Sequence, residues 1–205
     1  MVLHDQHIYL ASASPRRREL LKQIGVNFEV LLLRSRPPRT DVDETPIPGE
    51  QPEAYVVRVA RAKAEAAWMA VEARHLPKRV VLAADTTVSL NGEILGKPVD
   101  HENAEEMLRK LAGQRHRVYT SVAMSYQGRT EVKLSLSEVE FAELNEAEIK
   151  RYVMTGEPMD KAGGYAIQGR AAAFIARIEG SYTGVMGLPL YETAQLLKQF
   201  GVVKI

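Results

Sequence analysis

Ile8–Gly25, IYLASASPRRRELLKQIG, reads as a short apolar strand, a Ser-Ala-Ser-Pro turn and an amphipathic helix that begins with three arginines. Ser14 stands where an N-cap belongs, Pro15 fits the first helical position and Gly25 can close the helix. The free backbone N–H groups of the turn and the positive end of the helix dipole therefore face one point, and Arg16 and Arg17 bring permanently charged, forked donors to it. This strand–turn–helix arrangement sets an α/β reading and makes a nucleotide or phosphate ester the leading ligand class. The same residues also describe an ordinary helix with a solvated basic first turn, so the rest of the chain has to decide.

Working outward, strand-like runs fall at Ile8–Ser12, Phe28–Leu33, Arg79–Ala84, Thr86–Leu90, Val118–Tyr126, Lys133–Phe141 and Ala172–Ile178. Helical periodicity covers Pro15–Ile24, Pro52–Arg74, Asn103–Leu111, Glu146–Thr155 and Leu190–Phe200. Asn91-Gly92 and Gln127-Gly128 are expected to close tight hairpins, so the sheet is mixed, not purely parallel. Arg34–Gln51 is the one long irregular segment, with several prolines and the acidic run TDVDET, and a loop of that length commonly carries function.

Composition narrows the chemistry. With 205 residues the chain can bury a real core, as one unit or two small lobes. It has no cysteine, which removes disulfides, thiolate metal sites and cysteine nucleophiles; a reducing compartment is compatible. Lys+Arg 27 against Asp+Glu 26 is too balanced for a protein that wraps nucleic acid without sequence preference. No signal-peptide pattern opens the chain and no apolar run reaches the roughly 18 residues of a membrane span, so a cytoplasmic protein without a membrane partner is expected.

GxxxxGK[ST], GxGxxG and HExxH are all missing, and His4, His7, His75, His101 and His116 have no ligand spacing. Carboxylates carry the stronger signal. Asp85 follows the apolar run VVLAA, where a side chain would emerge at a strand's end; a turn-capping role fits it equally. Glu44 sits with Asp41 and Asp43 in the long loop, and hard oxygen ligands of this kind suit Mg²⁺ or Mn²⁺ held partly by substrate phosphates. Lys63 lies on a helix and Lys97 in GKP. Lys161 opens DKAGGYAIQG, whose Gly163, Gly164 and Gly169 permit close backbone approach around Gln168.

SASPRRRELL, TDVDET, VARAKA, AADTTV, GKP, DKAGGYAIQG and GSYTGVMGLPLYET occur in an order and spacing that resemble the Maf family of nucleoside triphosphate pyrophosphatases over essentially the whole chain. The resemblance implies one Maf-like domain over residues 1–205, with an ITPase-like α/β fold. In that fold a mixed twisted sheet with flanking helices forms two lobes around a substrate cleft. It also implies dependence on a divalent metal, hydrolysis of a nucleotide to its monophosphate and pyrophosphate, and a homodimer. By position, Asp85 matches the family's water-activating carboxylate, and Ser12 and Arg17 its phosphate-binding turn. Glu44, Lys63, Lys97, Asp160 and Lys161 match polar groups that line its cleft. Lys63 and Lys97 are accordingly expected to assist Asp85 in catalysis, and Glu44 with Asp85 to hold the metal.

Two branches of that family differ at three positions. The dTTP/UTP-directed branch has Arg, Thr and Gln, and the 7-methyl-GTP branch has Trp, Gln and Glu. This chain has Arg16, Thr86 and Gln168, so the resemblance points to dTTP, UTP and modified pyrimidine triphosphates. An amide at 168 can donate to O4 and accept from N3–H of thymine or uracil. The alternatives are a nucleotide-regulated interaction protein in septum control, since the family's name is tied to arrested septum formation, or a 7-methyl-GTP or purine-directed pyrophosphatase. Ala112 and Ala166 stand where many relatives have Ser and Gly; the alanine at 166 implies a backbone that does not need positive φ there.

Overall fold

The structure, a computed structural model, describes residues 7–36 and 39–202, so His4 lies outside it. The strands are β1 (His7–Leu10), β2 (Asn27–Val30), β3 (Ser35–Arg36), β4 (Arg39–Thr40), β5 (Val81–Leu90), β6 (Glu93–Leu95), β7 (Arg115–Tyr126), β8 (Arg129–Phe141) and β9 (Ile175–Glu179). The helices are α1 (Pro15–Gln23), α2 (Pro52–Ala73), α3 (His101–Leu111), α4 (Glu146–Val153), α5 (Tyr182–Met186) and α6 (Leu190–Gln199). Seven strands form one mixed sheet in the order β2-β1-β5-β7-β8-β9, with β6 also on β5, while β3 and β4 pair separately. The protein is mixed α/β, as the strand–turn–helix opening implied.

Both expected hairpins form. Asn91 and Gly92 link β5 to β6 with φ of 50° and 86°, and Gln127 and Gly128 link β7 to β8 with φ of 48° and 79°, the signs a two-residue type I′ turn requires. Among the described residues, α2 is the one helix in the core on one face. Its Ala60, Ala64 and Ala67 have no bulk to hold it off the sheet, so it beds on Val81, Ala83 and Ala123, with Trp68 edge-on to Tyr126 at 5.3 Å. The other face is covered in two parts. Leu20 and Leu21 of α1 and Leu196 and Leu197 of α6 pack on Ile8, Leu10, Leu82 and Met124 at the parallel end. At the far end α3 and α4 pack on Val88, Val118, Val139 and Phe141.

Two expectations need correction. The runs Arg79–Ala84 and Thr86–Leu90 are a single strand, because β7 pairs with β5 without a break from Val81 to Ser89 and carries Asp85 through opposite Ser121. Asp85 is therefore not at a strand end. The final strand starts at Ile175, not Ala172, because Arg170–Phe174 turns as a 3-10 helix, and α5 was not expected at all.

What places Asp85 at a surface is the other edge of β5. β1 pairs with it only at Val81 and Leu82, and β6 only from Val88 onward. Between them the edge has no strand partner among the described residues, and the cleft opens there.

Candidate active site

The guanidinium of Arg17 fills that gap. It donates from Nη1 to the Ala84 carbonyl at 2.7 Å and to Ser12 Oγ at 3.3 Å, from Nε to the Gly187 carbonyl at 2.7 Å, and from Nη2 to Thr86 Oγ1 at 3.4 Å. Most of its donors are thus spent on the frame. Burial lowers its pKa, while the charges of Asp85 and Glu44 work against that and Arg16 adds to it. Arg17 is consequently a fixed positive charge behind the cleft with little left of the free fork the sequence suggested. Gly187 stands beside Arg17 with φ 113°, a conformation that L side chains rarely adopt, although a Cβ there would meet Arg17 Nε only in ordinary contact at 3.7 Å. Ser14 is the N-cap residue of α1, yet its side chain caps nothing; its N–H donates to Ser12 Oγ at 3.2 Å. The first turn of α1, which begins at Pro15, keeps its N–H groups without a side-chain cap.

Asp85, 8% exposed, points to the α2 face. Lys63 on α2 meets it, with Nζ donating to Asp85 Oδ1 at 2.8 Å and to Glu44 Oε2 at 2.7 Å. One ammonium therefore stands between two carboxylates from distant parts of the chain, and Asp85 Oδ2 has no hydrogen bond among the described residues. Of the acidic run, only Glu44 is aimed inward. Asp41 is taken by Arg34, whose backbone N–H and guanidinium both bond it and hold its pKa below the usual range. Asp43 turns back to the Thr45 N–H at 2.9 Å.

On the opposite face of β5, Thr86 meets Thr120. Thr120 Oγ1 lies 2.8 Å from the Gly184 carbonyl and 3.1 Å from Thr86 Oγ1. A hydroxyl has one hydrogen, and two oxygens at 2.8 Å need it between them, so Thr120 donates to Gly184 and Thr86 donates to Thr120. With Arg17 donating to it as well, Thr86 is left with a lone pair: it offers an acceptor to the cleft.

The third wall is Glu157–Phe174. Gly163, at φ 69°, lies so close to β5 that a Cβ would sit 2.9 Å from Val88, and its N–H donates to the Gly96 carbonyl at 2.9 Å, fixing Lys97 alongside. Asp160 bridges Arg16 Nη1, at 3.5 Å, and its neighbour Lys161. Burial would raise the Asp160 pKa, but Lys161 and Arg16 outweigh it and the carboxyl stays ionised below its ordinary range. The Glu157 carboxylate accepts from the Tyr152 hydroxyl at 2.9 Å and the Arg170 N–H at 3.1 Å, which folds the chain around Gln168. Gln168 is exposed and makes no hydrogen bond among the described residues, so its amide is free to read a ligand. Ala166 has negative φ, as expected of an alanine there.

All of the candidate residues, Ser12, Arg16, Arg17, Glu44, Lys63, Asp85, Thr86, Lys97, Asp160, Lys161 and Gln168, line this one cleft of about 580 Å³. Tyr55 and Tyr165 line it too; Tyr165 falls within DKAGGYAIQG but is not singled out by it, and Tyr55 carries no sequence signal. Tyr55 donates its hydroxyl to the Glu44 carbonyl at 3.0 Å; burial, with Asp85 and Glu44 nearby, pushes its pKa up to about 12, so it remains a donor. The donor set fits a hard divalent cation. Glu44 and Asp85 converge on Lys63 Nζ, which fills the point between them, so a cation could meet only their outer oxygens, Glu44 Oε1 and Asp85 Oδ2; no group of three His, Cys, Asp or Glu side chains that could hold a metal occurs among the described residues. Two carboxylates without a protein cage suit an ion such as Mg²⁺ or Mn²⁺ that takes its remaining ligands from water and phosphate.

Fold and cleft together define a mixed α/β protein whose sheet edge presents one carboxylate, Asp85, to a partly cationic pocket of about 580 Å³. Residues 7–200 match the family described as Maf-like protein, and the chain belongs to that family. It is 60% identical over 196 residues to a protein of Aromatoleum aromaticum (strain DSM 19018 / LMG 30748 / EbN1) named dTTP/UTP pyrophosphatase, with 95% of each chain covered. A protein of the same name from Dechloromonas aromatica (strain RCB) is 58% identical over 195 residues, 95% of this chain and 97% of that one. The protein so named from Nitrosomonas europaea (strain ATCC 19718 / CIP 103999 / KCTC 2705 / NBRC 14298) is 57% identical over 198 residues, 95% of each.

Proposed function

We propose that the protein hydrolyses dTTP and UTP to the nucleoside monophosphate and pyrophosphate, clearing such triphosphates from a cytoplasmic nucleotide pool. The observation that carries the reading is the Asp85–Lys63–Glu44 arrangement at the gap in β5, facing Lys97, Lys161 and Arg16 across the cleft. The names of the relatives supply the substrate.

In this reading a water molecule attacks the α-phosphorus, a bond forms from its oxygen to phosphorus, and the bond to the bridging oxygen breaks with pyrophosphate leaving. Asp85 Oδ2 takes the proton, while Oδ1 is held by Lys63 so that the carboxylate keeps its direction. Negative charge that grows on the phosphate oxygens is met by Lys63, Lys97 and Lys161 and by the fixed charge of Arg17. With Asp85 Oδ1 on Lys63 and Oδ2 kept for the proton, Glu44 would hold the divalent ion, which would supply charge neutralisation on the triphosphate when bound. At the base, the Gln168 amide donates to O4 and accepts from N3–H.

Pyrophosphate release from dTTP and UTP by purified protein tests the proposal, with dTMP or UMP as the co-product. Activity should disappear in EDTA and return with Mg²⁺ or Mn²⁺. First products of dTDP and orthophosphate would overturn the cleavage position, and turnover that ignores EDTA would remove the metal.

A further inference from the structure

α2 makes a second set of contacts to the loop that carries Glu44, and the proposed chemistry does not use them. Three consecutive carbonyls, of Asp43, Glu44 and Thr45, all accept from its side chains. Arg58 Nη1 donates to Asp43 at 3.5 Å, the Tyr55 hydroxyl to Glu44 at 3.0 Å, and Arg58 Nη2 to Thr45 at 3.1 Å. The same guanidinium meets the Glu50 carboxylate fork to fork, with both bonds at 2.7 Å. Glu50 in turn accepts the Ile47 N–H at 3.1 Å. The segment from Asp43 to Glu50 thus closes on itself around one arginine. Tyr55 lines the cleft, but Arg58 and Glu50 do not.

From this geometry we infer that Arg58 is a positioning residue: it fixes the backbone on both sides of Glu44 so that the Glu44 carboxylate meets Lys63, and through it Asp85. The inference rests on the reading of Glu44 as part of the reactive site. Glu44 needs such help because its side chain is 46% exposed. Unrestrained, it would have to be ordered on each encounter with substrate, whereas a guanidinium that ties the flanking carbonyls removes that freedom beforehand. An ammonium would not serve, since only a planar fork can hold Glu50 along one edge and still aim N–H groups at two carbonyls.

The test is a double-mutant cycle on pyrophosphate release from dTTP with Arg58→Gln, Glu44→Gln and the double variant, alongside Arg58→Lys and melting temperatures. Arg58→Gln should lower kcat by about ten- to a hundredfold, the scale of a small misplacement of a reacting group, with KM changed by less than about threefold. Arg58→Lys should stay low. In the Glu44→Gln background, Arg58→Gln should cost less than about a further twofold, because residues acting through one step are not additive. Fully additive losses, a change confined to KM, a wild-type rate in Arg58→Gln or recovery in Arg58→Lys would each overturn the inference. If Arg58→Gln does not fold, Glu50→Gln loosens the same fork and replaces it in the cycle. Glu44→Gln with wild-type turnover would instead overturn the role of Glu44, and that of Arg58 with it.

Discussion

The two segments that bring side chains to the cleft are held in opposite ways. The Glu44 segment, Asp41–Gln51, is mostly exposed and is tied to α2 by polar side chains: Lys63, Tyr55 and Arg58. The Gln168 segment, Glu157–Phe174, is held by packing. Tyr165 is buried edge-on to Phe141 at 4.8 Å and to His116 at 5.4 Å, and Gly163 and Gly164 let it lie flat against Val88 and α3. A segment fixed by hydrogen bonds at the surface can shift with little loss of fold, whereas one fixed by a buried aromatic cluster cannot. Changes near Glu44 should therefore appear in rates, and changes near Gln168 in stability.

The sharpest division should come at Asp85, where chemistry and fold separate most. Asp85→Asn keeps the shape and removes the base, so kcat should fall by about 10²- to 10⁴-fold while the protein melts near the wild-type temperature and still binds dTTP. Calorimetric titration and initial rates check this, and near-wild-type turnover would move the base elsewhere, to Glu44 first.

Acid should distinguish the two segments next. His116 is buried, with Nε2 2.8 Å from the Tyr165 hydroxyl, and burial lowers its pKa to about 4 from an ordinary 6.5. Between those values the unfolded chain takes up a proton that the folded protein refuses. Stability from this group is therefore complete above about pH 6.5, declines as pH falls towards 4, and changes no further below that. The total is about 3 kcal/mol at roughly 1.4 kcal/mol per unit. Melting curves from pH 7 to 4 should show the slope and His116→Gln should flatten it. Amide exchange should rise around residues 157–171 before it rises around 41–50, and simultaneous loosening of both would break the contrast.

Gly163→Ala should show itself in stability alone. A left-handed alanine costs about 1–2 kcal/mol, and Val88 must also give way. That is a drop of several degrees in melting temperature for a protein of this size. A variant that melts like wild type would show that the segment is not held by packing.

Much of this was readable in the chain. The hairpins followed from Asn-Gly and Gln-Gly, and the helices from periodicity and proline placement. The cleft residues came from motifs whose order matched a family, which is why residues as distant as Ser12 and Gln168 were grouped before any geometry was known. Three things were not readable. The continuity of β5 through Asp85 depends on β7 lying beside it, and an acidic residue after an apolar run gives no sign of that. The engagement of Arg17 with the frame depends on a carbonyl 170 residues away. Arg58 and Glu157 look like ordinary surface charges, because their partners, backbone and side chain together, are brought near only by folding. Local propensity specifies elements; it says nothing of which polar group meets which.

The gap in the edge of β5 has a consequence for how such a protein can change. Neighbouring residues of a strand face opposite sides of the sheet, yet where the strand edge is open one ligand can reach both. Asp85 and Thr86 are adjacent in the chain, and in the proposed function one belongs to the reaction while the other, by the family resemblance, belongs to the choice of base. Preference can therefore drift by point substitution at 86 with the reaction intact at 85. An insertion or deletion within β5 would exchange the two sides and lose both together, so descent with new substrate preferences is open to substitution and closed to length change in this strand.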